Sequence, residues 1–306
     1  MRNAAINELE RLAQKDSRIC IMTADLGYGV LEQFAARFPS RFFNVGISEQ
    51  LMASAAAGMA LCGNIVFIYS IGNFVTLRCI EQIRNDICYH RANVKIIGVG
   101  GGFSYGQLGM SHHATEDIAM MRALPDMQVF VPADPQEALA AVNFAVQNDG
   151  PCYIRLARRG EPVLYKKQEP LEIIRIQTVS IGRDVALLLC GPLLQEGIDA
   201  SARLERHRIS AGVYSVPSIK PLDRESIQKI AESYSLLVTV EEHTTLGGLG
   251  GAVAEVVSEM KGNRARVYRL GLQDEYTSVV GSHEYLCEYY GLSGIKIADT
   301  ILDLLR

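Results

Sequence analysis

Glu49 is a lone carboxylate at the mouth of an almost wholly apolar run, between Asn44-Val45-Gly46-Ile47-Ser48 and the stretch Leu51 to Ala60. An acid placed there suits the unpaired amides and positive end of a helix's first turn. The chemical alternative is a carboxyl held in a dry crevice, where lost hydration favours the neutral acid and lets it share a proton with a nitrogen base. Ser111-His112-His113-Ala114-Thr115-Glu116-Asp117 gathers two imidazoles and two carboxylates. On a helix His113 and Asp117 would share a face and could hold a metal. However, Thr115-Glu116-Asp117 reads as the acidic opening of the next helix. A histidine at that loop–helix junction, aimed at a substrate oxygen, is the better reading, and no metal ligands are expected. Tyr153-Ile154-Arg155-Leu156-Ala157-Arg158-Arg159 ends in guanidinium groups, whose planar forks match phosphate or carboxylate.

Two glycine runs could in principle cradle phosphate. Gly98-Val99-Gly100-Gly101-Gly102 follows a strand pattern, but its spacing is wrong, no Walker lysine follows, and Phe103 to Gly109 does not open a helix. Nicotinamide and P-loop readings are excluded on that basis. Leu246-Gly247-Gly248-Leu249-Gly250-Gly251 precedes a helix and suits close helix–strand packing.

These groups need a scaffold. Short β-rich runs recur at 18–23, 65–69, 94–99, 128–131 and 152–156, alternating with helical patterns at 31–38, 47–61, 75–90, 115–124 and 135–147. Such alternation predicts a parallel sheet covered by helices on both faces, with ligand groups at the carboxyl ends of the strands. A charged, proline-containing region near 158–183 interrupts the rhythm. It resumes with strands at 185–190, 210–214, 236–240 and 266–270 and helices at 193–207, 224–232, 250–260 and 295–305. The fold class is therefore α/β with two doubly wound units, the second smaller.

The 306 residues suffice for two domains, and 48% hydrophobic with 21% charged residues is ordinary for a soluble protein. A formal charge of -4 offers no reason to expect nucleic acid or an anionic membrane as partner. No apolar run reaches spanning length, and the start Met1-Arg2-Asn3-Ala4-Ala5 lacks the apolar core of a signal peptide, so a cytoplasmic setting is expected. Seven scattered cysteines without C-x-x-C spacing read as reduced, packed thiols.

One ordered set of segments narrows the function. It comprises Asp25-Leu26, Gly46-Ile47-Ser48-Glu49-Gln50, Arg78 with Glu81-Gln82-Ile83-Arg84, Asn93-Val94-Lys95, and Ser111-His112 with Glu116-Asp117-Ile118-Ala119-Met120-Met121-Arg122. Val131-Pro132-Ala133-Asp134, Gly150-Pro151-Cys152-Tyr153, Ser218-Ile219-Lys220-Pro221-Leu222-Asp223 and Glu241-Glu242-His243 with Gly247-Gly248-Leu249-Gly250 complete it. In this order the chain resembles, nearly end to end, the C-terminal half of a transketolase of the kind some bacteria divide between two polypeptides.

The resemblance implies a thiamine pyrimidine-binding domain over residues 1–165, a linker over 166–182 and a transketolase C-terminal-type domain over 183–306. It implies thiamine diphosphate as cofactor and transfer of a two-carbon ketol unit from a ketose, which a phosphate can terminate, to an aldehyde through a thiamine-bound enamine. No Gly-Asp-Gly element with a following Asn is found, so the diphosphate and its Mg2+ fall to a separate N-terminal transketolase subunit. Two copies of each chain, α2β2, are implied, and this chain alone should be inactive. By resemblance Glu49 hydrogen-bonds the pyrimidine nitrogen and favours the imino tautomer, Phe74 stacks on the pyrimidine, and Ile71 stands where relatives carry aromatics around the thiamine. His112 contacts substrate oxygens and assists proton transfer, while Arg158 and Arg2 hold the sugar phosphate.

Some positions depart from the family's pattern. Gly100 and Leu108 stand where a His and an Asp commonly line the substrate channel, Gly29 replaces a phosphate-contacting Ser, and Leu77 replaces an aromatic. Losing a polar partner changes discrimination between hydroxylated substrates by orders of magnitude, so a non-standard sugar is expected. Two other readings stand beside ketol transfer: the β subunit of a 2-oxo-acid dehydrogenase or related acyl-transfer enzyme, and a catalytically idle paralogue that stabilises a partner.

Overall fold

A computed structural model of the chain describes residues 1–158, 160–165 and 171–306. Its first half runs α1 (Arg2–Ala13), β1 (Ile19–Thr23), α2 (Glu32–Arg37), β2 (Phe42–Asn44), α3 (Glu49–Leu61), β3 (Ile65–Ile71), α4 (Gly72–Val75), α5 (Ile80–Gln82), β4 (Val94–Val99), α6 (Asp117–Ala123), β5 (Gln128–Phe130), α7 (Pro135–Gln147) and β6 (Cys152–Leu156). The second half runs β7 (Gln177–Ser180), β8 (Val185–Leu189), α8 (Leu194–Arg206), β9 (Ala211–Ser215), β10 (Ser218–Lys220), α9 (Arg224–Ser233), β11 (Leu236–Thr244), α10 (Leu249–Ser258), β12 (Arg266–Leu272), α11 (His283–Tyr289) and α12 (Gly294–Leu304).

The first sheet has strand order β10-β5-β6-β4-β3-β1-β2, parallel except for β10. Its central strands are apolar on both faces because helices cover both. Val66 and Ile68 of β3 join Met52, Ala53 and Ala56 of α3, whereas Ile65 and Phe67 join α1 and α7 through Leu9 and Ala141. Phe67 is wholly buried, and its truncation to Ala would cost about 3–5 kcal/mol. The second sheet has order β12-β11-β8-β9-β7, with only β7 antiparallel.

Local chemistry explains where the helices begin. Ala-rich composition drives α3, the cheapest side chain to place in a helix. Asp134 caps α7 by accepting from the Glu137 amide at 2.9 Å, Pro135 occupies the first turn, and the Glu137 carboxylate reaches back to the Ala133 amide at 2.7 Å. Asp223 caps α9 by accepting from the Ser226 amide.

Three expectations change. The helix expected over 75–90 is broken: Thr76 turns its hydroxyl onto the Gly72 carbonyl at 2.7 Å, a tight turn follows at Leu77–Cys79, and Ile83–Cys88 widens into a π-helical turn. The expected linker over 166–182 contains β7, which closes the far edge of the second sheet; its first residues, 166–170, lie outside the described residues. Finally β10, from the second half of the chain, pairs with β5 of the first sheet, so the two halves share a boundary.

Candidate active site

The first sheet gathers the side chains expected to be functional where its parallel strands end, as open α/β sheets do. Ile71 closes β3 and is buried, Phe74 follows one turn later and is half-buried, Gly100 follows β4, and Arg158 lies two residues past β6. Glu49 is the first residue of α3. Its side chain is 3% exposed.

The Glu49 carboxylate accepts from Arg78 Nη1 at 2.8 Å. The guanidinium of Arg78 also lies over the Phe74 ring, 4.2 Å from its centre. Phe74 meets His112 edge-on at 5.1 Å between ring centres, and His112 meets Tyr105 at 6.1 Å. The guanidinium of Arg158 covers the Tyr105 ring at 4.9 Å. Arg2 faces the Tyr69 phenol, whose pKa burial pushes up to about 12. A continuous row thus runs from Glu49 through Arg78, Phe74, His112 and Tyr105 to Arg158.

His112 is held below the usual imidazole pKa by loss of hydration, and further by its neighbours His113 and Arg78. It is therefore a neutral base near pH 7, with Nδ1 3.0 Å from the Ser111 hydroxyl. The neighbouring His113 has a different task. Its Nε2 lies 3.0 Å from the Gly106 carbonyl and must donate, so its Nδ1 accepts from the Thr277 hydroxyl at 2.7 Å. That bond ties the loop carrying His112 and His113 to the second half of the chain.

Asp117 does not join His113. It accepts from Arg155 Nε at 2.8 Å and from the Tyr153 hydroxyl at 2.5 Å, all three groups being buried. Arg155 Nη2 also donates to the carbonyls of Ala114 and Glu242. Of the three arginines that could form an anion clamp, Arg155 is consumed by this internal network, Arg158 is exposed and Arg159 lies outside the described residues.

Beside Arg158 is a cavity of about 310 Å3 lined by Ser104, Tyr105, Gln107, Leu108, Ser282 and His283 among others. A larger hollow of about 570 Å3 lies between α1, α7 and residues 171–174, away from the row just described. The smaller cavity is the chemically relevant one, because it adjoins Arg158 and Tyr105. Leu77 and Leu108 are both exposed, and Gly29 has open space around it.

Sequence reasoning assigned no role to Arg78, Tyr105 or the group formed by buried Glu242 and Cys287 with half-buried His283. In that group His283 Nε2 bonds Glu242 Oε1, and Cys287 Sγ lies 3.5 Å from the same oxygen.

Comparison with known proteins shows the family to which the chain belongs. The family described as transketolase, pyrimidine binding domain, matches residues 1–161, and transketolase, C-terminal domain, matches residues 175–297. The chain is 34% identical to an apulose-4-phosphate transketolase subunit of Phocaeicola vulgatus, over 100% of this chain and 97% of that protein. It is 33% identical to a 6-deoxy-6-sulfo-D-fructose transketolase subunit of a Clostridium species, over 97% of this chain and 92% of the relative. A solved structure described as a split gene transketolase, inactive beta4 tetramer, superposes with a TM-score of 0.88 at 38% identity, covering 99% of this chain and 96% of the other. With its domain pair and with relatives of matching length, the chain belongs to the transketolase family of thiamine-diphosphate-dependent transferases, as the second subunit of the split kind.

Proposed function

We propose that this chain works with a separate diphosphate-binding polypeptide to move a two-carbon ketol unit from a ketose with an anionic end to an aldehyde. The observation that carries the reading is the unbroken row from buried Glu49 to exposed Arg158, with a neutral imidazole at its middle.

The residues fit one end of the cofactor. Glu49 offers a buried carboxylate and Phe74 an aromatic face, both touching the same guanidinium, which suits a flat, nitrogen-bearing pyrimidine. For the diphosphate end the fit is lacking. Among the described residues the one group with metal-type donors is Glu242, His283 and Cys287, and these bond one another. On this reading the diphosphate and Mg2+ are assigned to the partner chain. The β4 tetramer named as inactive among the structural relatives supports that division, and an α2β2 assembly completes the reading.

Thiamine diphosphate, when bound, supplies the nucleophilic carbon and electron sink that ketol cleavage needs. Glu49 holds a proton at the pyrimidine nitrogen, Phe74 supports the ring face, and Ile71 excludes water beside it. His112, kept neutral by its surroundings, takes the proton of a substrate hydroxyl and returns it to the product. Arg158 and Arg2 take the anionic end of the sugar by charge-assisted hydrogen bonds. Relatives named for a sugar phosphate and a sugar sulfonate support an anionic substrate. A cytoplasmic setting agrees with seven unpaired thiols.

The test is co-expression with a diphosphate-binding partner and assay of ketose phosphates against aldehydes. Glu49→Gln should lower turnover by about 100-fold or more with an unchanged circular dichroism spectrum. Unaltered turnover in that variant, or full turnover by this chain alone, overturns the reading. Release of carbon dioxide from a 2-oxo acid in place of ketol transfer points to the acyl-transfer alternative.

A further inference from the structure

Glu242, His283 and Cys287 form a compact donor set that ketol transfer leaves without a task. Their ligand-type atoms, an oxygen, a nitrogen and a sulfur, all lie within 4.8 Å of one another. Cys287 Sγ is 3.5 Å from Glu242 Oε1 and 3.8 Å from His283 Nε2. A zinc ion about 2.0–2.3 Å from such donors at tetrahedral angles sets them about 3.5 Å apart, so both distances from the sulfur are already near the required length. The remaining pair, His283 and Glu242, is closed by a hydrogen bond and must part. His283 has room to do so, because it lines two cavities, one of about 310 Å3 beside Arg158 and one of about 210 Å3 beside Ala157.

The carboxylate supplies an independent observation. Glu242 is 2% exposed, and its Oε2 accepts no hydrogen bond among the described residues, although Oε1 meets both His283 and Cys287. A buried carboxylate oxygen without a donor is costly, and a cation removes that cost. The backbone makes room for it: Gly102 has φ +60°, and a Cβ built there would collide with Glu242 Oε2. The glycine run 98–102, unfit as a phosphate cradle, thus clears space for this carboxylate. Glu196 and Glu284 also bear electrostatically on Cys287 and favour a cation there. Arg155 acts on Glu242 in the opposite sense, but its charge is matched by Asp117 at 2.8 Å.

We propose that Glu242, His283 and Cys287 bind one zinc ion, with a fourth position open to solvent in the cavity beside Arg158. Nitrogen, sulfur and a single carboxylate suit zinc and not Mg2+, which takes oxygen ligands. Binding releases the thiol proton and the proton shared by His283 and Glu242 to solvent. Glu242 comes from β11, whereas His283 and Cys287 share a face of α11 at i, i+4 spacing, so the ion ties that helix to the sheet. Gly281 and Ser282, just before α11, line the same cavity, and the ion therefore steadies its wall.

The full-length chain, stripped with a chelator and dialysed, is titrated with Zn2+ or Co2+, a test that needs neither cofactor nor sugar and is therefore separate from ketol transfer. It should bind one Zn2+ per chain, gain about 4 °C in Tm with zinc at 100 times Kd, and show a thiolate-to-metal charge-transfer band with Co2+. Cys287→Ser should lose that band and weaken zinc binding by about 100-fold or more, while Cys62→Ser keeps both. His283→Gln retains a donor for Glu242 and should weaken zinc binding similarly with an unchanged circular dichroism spectrum. A native chain that takes up no zinc, a cobalt complex without the thiolate band, or binding undiminished in Cys287→Ser or His283→Gln overturns the site. Should Cys287→Ser fail to fold, His283→Gln decides.

Discussion

Arg78 donates to Glu49 at 2.8 Å while its guanidinium lies 4.2 Å from the centre of the Phe74 ring. One cation thus satisfies a buried carboxylate and covers an aromatic face. Glu49 is 3% exposed and Arg78 44%, so the carboxylate depends on its partner more than the partner depends on it.

Arg78→Ala should consequently act at two places. Stability should fall by about 1 kcal/mol, a modest value because the arginine is half solvated. The pKa of His112 should rise, because the Arg78 charge is one of the influences holding it down. An NMR titration of the imidazole checks this, and an unmoved or lower pKa would show that the charge does not reach His112.

Two buried carboxyls give the chain a distinctive pH dependence. Burial raises Glu137 and Glu241 from 4.5 to about 7, against hydrogen bonds that pull each of them down. At these two sites the folded state then holds protons that the unfolded chain has released, so their contribution to stability declines as pH rises from about 4.5 to 7, while His112, His113 and His243, held below the usual imidazole pKa chiefly by burial, act in the opposite sense. Glu137→Gln removes one carboxyl's share, so the Tm of the variant relative to the native chain should rise as pH goes from about 4.5 to 7. A Tm difference that stays flat across that range would contradict the assignment.

Arg155 and Asp117 form a fully buried ion pair at 2.8 Å. Arg155→Met should destabilise the chain by about 3–5 kcal/mol, because Asp117 remains as an uncompensated buried charge. Denaturant unfolding measures the loss. The double change Arg155→Met with Asp117→Asn should recover part of it, a coupling that independent sites do not show.

Thiol chemistry offers a direct reading of the packing. Of seven cysteines, Cys62 is exposed and the other six are buried. Burial raises Cys88 and Cys152 to about 12, which suppresses the reactive thiolate. An aromatic disulfide reagent should titrate one thiol per native chain, that signal should vanish in Cys62→Ser, and six more should appear on unfolding.

Much of this is legible in the sequence for identifiable reasons. β3 and β4 are dense in Ile and Val, and the Ala-rich α3 has a composition that few other structures suit. Glu49, Phe74, His112 and Arg158 are expected as site residues by resemblance, and they lie in one row. The helix expected over 75–90 fails because its apolar spacing is helical, while Thr76 diverts the backbone through a side-chain bond that periodicity does not register. β7 and β10, of four and three residues, are too short to show alternation. Glu242 and His283 escape because 41 residues separate them.

The pairing of β10 with β5, Ser218 opposite Phe130 and Lys220 opposite Val129, has a practical corollary for anyone dividing this chain. The apparent seam near residue 170 is not a cutting point. A fragment stopping there leaves β5 as a naked sheet edge, the kind of template on which chains pair indiscriminately and precipitate. A hybrid that grafts a relative's second half onto this first half inherits soluble behaviour only if the graft brings a strand that fits against residues 129–130. The modules suggested by two successive sheets are therefore stitched into one inheritable block.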